Sequence, residues 1–143
     1  MATEVRSRVV IAAYKKQKGL CPYCTNDVDE TNSTWEHVIP RAWGGPANGY
    51  NSVLACEPCN SLKSQVESVV SNSLDKDLPL TSKAALFILH CSIRFRTNTS
   101  KSTLWRVRFF RMAHHMLEMV DYHEAHLGND IPDLPAKLRP KFI

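Results

Sequence analysis

Cys21-Pro22-Tyr23-Cys24 and Cys56-Glu57-Pro58-Cys59 decide how this chain must fold. Two thiols two residues apart sit on a tight turn and offer two corners of a tetrahedron. Two such pairs make a closed four-sulfur site of the kind zinc fills. Pro22 and Pro58 lie inside the turns, and Gly19 stands just ahead of the first, all residue types that suit sharp reversals. A redox dithiol would need one pair and leave the other without a role. A closed site has no open coordination position, so the zinc is expected to hold structure rather than do chemistry. Its folding contribution should be on the order of 10 kcal/mol. The fifth cysteine, Cys91, lies in the apolar run 85–93 and reads as a small buried side chain.

Residues 25–55 separate the two pairs. A plain zinc ribbon has about 15–20 residues there, so something more is built between the knuckles. Thr34 to Ile39 is β-prone and ends at Pro40; Ser52 to Ala55 reads as a second short strand. Between them, 41–50 is rich in Gly, Pro and Asn and reads as a loop. A helix is expected after the second knuckle, capped by Asn60 or Ser61. The unit is strand, loop, strand, knuckle, helix.

Particular polar residues sit on this frame. Glu36 and His37 come late in the first strand, Asn51 opens the second, and Asn60 follows Cys59 directly, with Lys63 one turn on. One carboxylate, one imidazole and two amides can converge where strand ends meet the helix start. Glu and the Asn amide oxygen are hard ligands suited to Mg2+ or Mn2+. A neutral His beside such an ion can act as general base. Arg41 and Lys63 flank the same place and could contact phosphates.

Taken together, Cys21-Pro-Tyr-Cys24, Glu36-His-Val-Ile-Pro40, Gly44-Gly45, Asn51-Ser-Val-Leu-Ala-Cys56, Cys59-Asn60 and Lys63 resemble an HNH nuclease of the four-cysteine type, over about residues 15–70. The resemblance implies a ββα-metal fold that hydrolyses phosphodiester bonds in DNA. It implies His37 as general base, Glu36 and Asn60 as ligands of the catalytic divalent ion, and Asn51 as the residue that orients the imidazole. One departure stands out: position 36 is usually Asp in the family and is Glu here, one methylene longer. A non-catalytic zinc module that binds nucleic acid, or an RNA nuclease, are the competing readings.

Outward from this core, the chain has 143 residues, 43% hydrophobic and 22% charged, with a net charge of +4. That is enough apolar material for a core and excludes disorder throughout. No run approaches 18 apolar residues, so no membrane span is expected. Met1 to Val10 lacks the apolar core of a secretion signal. Reduced thiols and a cytoplasmic location are therefore expected, and the small size is compatible with a phage or mobile-element origin. A helix is expected over 3–18, ending at Gly19. The Ser-rich stretch 67–80 reads as a frayed helix end and linker, and 129–143, with Pro132, Pro135 and Pro140, as an extended tail.

Thr81 to Phe95 reads as a helix, and Ser102 to His126 as a longer one with a stripe of Trp105, Phe109, Met112, Met116, Val120 and His123 at helical spacing. His114, His115, His123 and His126 are taken as exposed or packed helix residues, not as a second metal site. From Leu78 to Leu117 there is no Asp or Glu. Arg94, Arg96, Arg106, Arg108 and Arg111 in that stretch are candidates to grip the DNA backbone. The fold class expected is α+β: a ββα core stapled by zinc, an N-terminal helix and a mainly helical C-terminal half. The nuclease core is placed at 1–75 and the helical region at 76–143. A monomer with one site would nick, whereas a homodimer could cut both strands.

Overall fold

The computed structural model describes residues 17–29, 31–46, 51–73 and 77–125. The first cysteine pair sits on a small reversal. Leu20 bridges Asp27, Cys21 N donates to Asn26 O (2.8 Å), Thr25 N to Cys21 O (2.9 Å) and Val28 N to Gly19 O (2.9 Å). Gly19, at φ 71°, takes the left-handed conformation that lets the chain enter this turn.

Strands β1 (Ser33–His37) and β2 (Ser52–Cys56) pair antiparallel, with Trp35 opposite Leu54 and His37 opposite Ser52. β1 ends two residues earlier than the sequence pattern predicts. Val38 and Ile39 leave the ladder because Asn51 takes over their hydrogen bonding: Val38 N donates to Asn51 O and Ile39 N to Asn51 Oδ1, both at 2.8 Å. A short 3-10 turn, Arg41–Trp43, follows. β2 is buried at every position. Its outer edge is satisfied by a side chain, since Gln17 Nε2 donates to Leu54 O (2.8 Å) and Leu54 N donates to Gln17 Oε1 (2.7 Å). Such pairing removes the cost of a buried open ladder.

Helix α1 spans Glu57–Ser73, α2 Leu80–Thr97 and α3 Thr103–Ala125. The expected cap at Asn60 or Ser61 is corrected. The helix starts three residues earlier, so Cys59 and Asn60 lie in its first turn. The expected fraying from 67 is corrected as well, because Val66 and Val70 bury an apolar face and carry the helix to Ser73. α2 and α3 pack on each other most extensively. Phe109, Met112, Met116 and Val120 of the predicted stripe are buried, together with Met119, while Trp105 and His123 lie at its half-exposed margins.

One apolar core runs from Cys21, Tyr23 and Val28 through β2 and α1 to Phe87, Cys91 and α3. The fold is thus α+β, with a two-stranded sheet, three described helices, a four-cysteine cluster and a helical C-terminal half. No helix among the described residues is long and apolar enough to cross a membrane. The helix expected over 3–18 lies outside the described residues, except for Gln17 and Lys18, which are in a turn. The tail 129–143 and His126 also lie outside them.

Candidate active site

The knuckle at 21–24 and the start of α1 bring four sulfurs together. One Sγ from each of Cys21, Cys24, Cys56 and Cys59 lies within 4.8 Å of the others, and Cys24 Sγ is 3.6 Å from Cys56 Sγ. A tetrahedral zinc with Zn–S of about 2.3 Å needs sulfurs about 3.8 Å apart, so the donor set and its spacing fit the ion. Crowding splits the proton affinities of the thiols. Hydrogen bonding to Cys21 draws Cys24 down and pushes Cys59 up. Four sulfurs this close favour thiolates only when a cation sits among them. Cys91 is buried apart from this cluster, and burial pushes its thiol up to about 12.

On the face of β1 turned toward α1 stand Thr34 and Glu36. Asn60 Nδ2 donates to Thr34 Oγ1 at 3.0 Å, which leaves Asn60 Oδ1 without a partner among the described residues. Glu36 is 9% exposed. Its Oε1 accepts from Tyr23 Oη at 2.5 Å, and its Oε2 pairs with Lys63 Nζ at 3.2 Å. Lys63 is fully buried and reaches two further acceptors, Glu67 Oε2 at 2.5 Å and the His37 carbonyl at 3.0 Å.

Burial alone would lower the ammonium's pKa. The two carboxylates outweigh it and hold Lys63 above its ordinary value. Burial, together with the Glu36 charge, raises the Glu67 carboxyl despite Lys63. Glu36 and Asn60 carry hard oxygen donors on the same side of β1, the donor chemistry a divalent cation takes.

His37 projects from the opposite face of β1, since neighbouring strand residues alternate. Its ring lies against Trp35, with centroids 5.4 Å apart. Burial, reinforced by Arg41, lowers its pKa, with Glu36 acting the other way, so the imidazole is neutral at pH 7. Its Nε2 is buried with no hydrogen-bond partner among the described residues. The expected convergence is therefore not seen as a single cluster: Glu36 and Asn60 share one side of the strand and His37 lies on the other. Asn51 acts just downstream. Its side chain accepts from Ile39 N and donates to Ile39 O (2.9 Å) and Pro46 O (3.0 Å), fixing the chain that leaves His37.

Several basic residues expected at phosphates are placed otherwise. Lys63 is corrected to an interior cation held by Glu36 and Glu67. Arg108 is 8% exposed, stacked on Trp105 at 4.8 Å, with its Nε donating to Trp105 O. That packing corrects its assignment to a DNA-facing surface. Arg106 lies over Phe95 and donates to its carbonyl, Arg111 donates to Tyr23 O, and Arg94 to Gln65 Oε1. Each therefore braces its own surroundings. Arg41 and Arg96 are exposed.

Sequence reading missed Tyr23, Glu67 and Gln17. A Lys–Glu pair at i,i+4 was a legible sign for Glu67. Nothing in the sequence distinguished the tyrosine inside a cysteine knuckle.

Residues 21–75 match the family model described as HNH endonuclease. Neither a curated protein nor a solved structure matches the chain. Over that segment the chain is similar to HNH endonucleases, which suggests nuclease activity in general terms.

Proposed function

We propose that this protein is a metal-dependent endonuclease that hydrolyses DNA phosphodiester bonds, with His37 as general base. The observation that carries the reading is the His37 imidazole within the matched segment: neutral, half-buried, with a buried Nε2 lacking a partner among the described residues. A neutral ring nitrogen of this kind can take a proton from water as that water attacks phosphorus. Such a base contributes about 10²–10⁴-fold.

The other residues serve that step. Lys63 holds the His37 carbonyl and Asn51 holds Ile39, so the strand end carrying the imidazole is fixed from both sides. A Mg2+ or Mn2+ bound through Glu36 and Asn60 would supply stabilisation of negative charge at the phosphate. The exposed Arg41 and Arg96 offer positive charge to the DNA backbone. In this reading residues 1–75 are the nuclease core and 76–143 a helical region packed against it.

The test is supercoiled plasmid incubated with Mg2+, with Mn2+ and with EDTA. Metal-dependent nicking or linearisation is expected, with loss of about 10²-fold or more in His37→Ala at unchanged zinc content. The ratio of nicked to linear product reports whether one strand or both are cut. Wild-type cleavage rates in folded His37→Ala, or binding without cutting at any metal concentration, would overturn the reading.

A further inference from the structure

The four-cysteine knuckle and the candidate catalytic carboxylate are joined by one side chain. Tyr23 lies between Cys21 and Cys24, is completely buried, and gives its hydroxyl hydrogen to Glu36 Oε1 at 2.5 Å. Its backbone and ring are held from another direction. Arg111 Nη1 donates to the Tyr23 carbonyl at 3.1 Å, and the His115 ring meets the Tyr23 ring edge to face at 5.7 Å. The other carboxylate oxygen of Glu36 faces Lys63, which is clamped in turn by Glu67 one helical turn away.

We propose that Tyr23, with Lys63 and Glu67, is a positioning residue that aims the Glu36 carboxylate at the divalent ion and ties that aim to the zinc knuckle.

The proposal rests on the metal-dependent reading above. Its physical reason follows from the extra methylene at position 36. A glutamate has one more rotatable bond than an aspartate, and side-chain freedom opposes any fixed ligand geometry. Two contacts, one on each oxygen, restrict that freedom: a phenol on Oε1 and an ammonium on Oε2. Hydrogen-bonded partners behind a ligating carboxylate change metal affinity by about 10–100-fold when removed. Glu67 adds a second effect. It shares Lys63, so the ammonium's contacts are divided between two carboxylates and it does not pair with Glu36 alone. Tyr23 lies between Cys21 and Cys24, so the zinc-held turn, with Arg111 and His115, sets where the phenol stands.

The experiment compares zinc-loaded wild type, Tyr23→Phe, Glu67→Gln and Val66→Ala. Val66 is fully buried in the same helix and carries no polar group that could hold Glu36, so its truncation controls for general loosening. Mn2+ binding is followed by the loss of the free-ion electron paramagnetic resonance signal. Cleavage is measured in parallel against Mn2+ concentration, and zinc content against protein. Tyr23→Phe should keep its zinc, weaken Mn2+ binding about tenfold, and approach the wild-type rate once Mn2+ is saturating. Glu67→Gln should weaken Mn2+ binding in the same direction, and Val66→Ala should leave it unchanged.

Wild-type Mn2+ affinity in Tyr23→Phe would overturn the inference and leave the nuclease reading standing. The same loss of affinity in Val66→Ala would also overturn it, by showing that looseness alone is enough. Absence of Mn2+ binding and of cleavage in wild type would overturn both.

Discussion

One methyl group added at Gly45 should cost about two to three times what the same methyl costs at Gly44. An ideal Cβ on Gly45 would stand 2.0 Å from the Ile39 carbonyl oxygen, 2.8 Å from its carbon and 2.9 Å from Asn51 Nδ2. Carbon and oxygen normally approach no closer than about 3.3 Å, so the groups must part by more than about 1 Å. What they part from is the Asn51 clamp, whose two bonds to Ile39 are 2.8 and 2.9 Å long and buried. Losing both, at about 1 kcal/mol each, and stranding a buried polar group, at about 1–3 kcal/mol, gives a loss of about 3–5 kcal/mol. Gly44 differs: its φ is 93° and a Cβ there would meet nothing within 4 Å. Gly44→Ala therefore carries only the left-handed penalty of about 1–2 kcal/mol. At roughly 2–4 °C per kcal/mol for a chain of this size, Gly45→Ala should melt roughly 10 °C lower and Gly44→Ala roughly 4 °C lower. The assay is thermal unfolding of zinc-loaded protein by circular dichroism, with hydrogen exchange read at the Ile39 amide. The two variants melting together, with Ile39 still protected in Gly45→Ala, would refute the reasoning.

Other outcomes follow from the same contacts. Stripping zinc with a strong chelator, or Cys21→Ser, should abolish cooperative unfolding, since the metal is expected to supply on the order of 10 kcal/mol; an unchanged far-ultraviolet spectrum after metal loss would contradict this. Burial, with the His114 charge beside it, lowers His115 to about 4, although a hydrogen bond with the Pro22 backbone works the other way. The unfolded chain takes up that proton near about pH 6.5 and the folded one does not until near 4, so stability is complete above about 6.5 and falls as the pH drops between the two values. Urea titrations should show about 2 kcal/mol lost at pH 5 relative to pH 7, and a flatter dependence in His115→Phe. Lys63→Met leaves Glu36 and Glu67 facing each other without a cation, and should destabilise by about 3–5 kcal/mol in urea, partly recovered by adding Glu67→Gln. Arg41→Ala and Arg96→Ala should each reduce the slope of DNA affinity against salt by about 0.9, whereas Arg108→Ala, already packed on Trp105, should leave the slope unchanged.

What the sequence displayed, and what it hid, divides along a physical line. Cysteine pairs, strand alternation and the Gly-Gly loop are local signals, each set by a few neighbouring residues, and from them the order strand, loop, strand, knuckle, helix could be read. Their exact ends could not. β1 stops at His37 because Asn51, fourteen residues away along the chain, captures Val38 and Ile39. α1 runs on to Ser73 because Val66 and Val70 find a core that only the folded chain provides. The same division applies to charge. Lys63 reads from the sequence as a surface cation one turn after Asn60, since lysines are rarely buried unless paired. Its partners are Glu36 on a strand and Glu67 on its own helix, and only their meeting makes an interior ammonium tolerable. Arg108 was hidden similarly, by an aromatic ring three residues before it on the same helix face. Position 36 joins the two halves of this argument. A glutamate in place of an aspartate is visible in the sequence as a departure, but its consequence is a tertiary fact. The longer side chain carries a carboxylate that meets Tyr23 through one oxygen and Lys63 through the other, so the departure visible in the sequence is held by two contacts that only the folded chain provides.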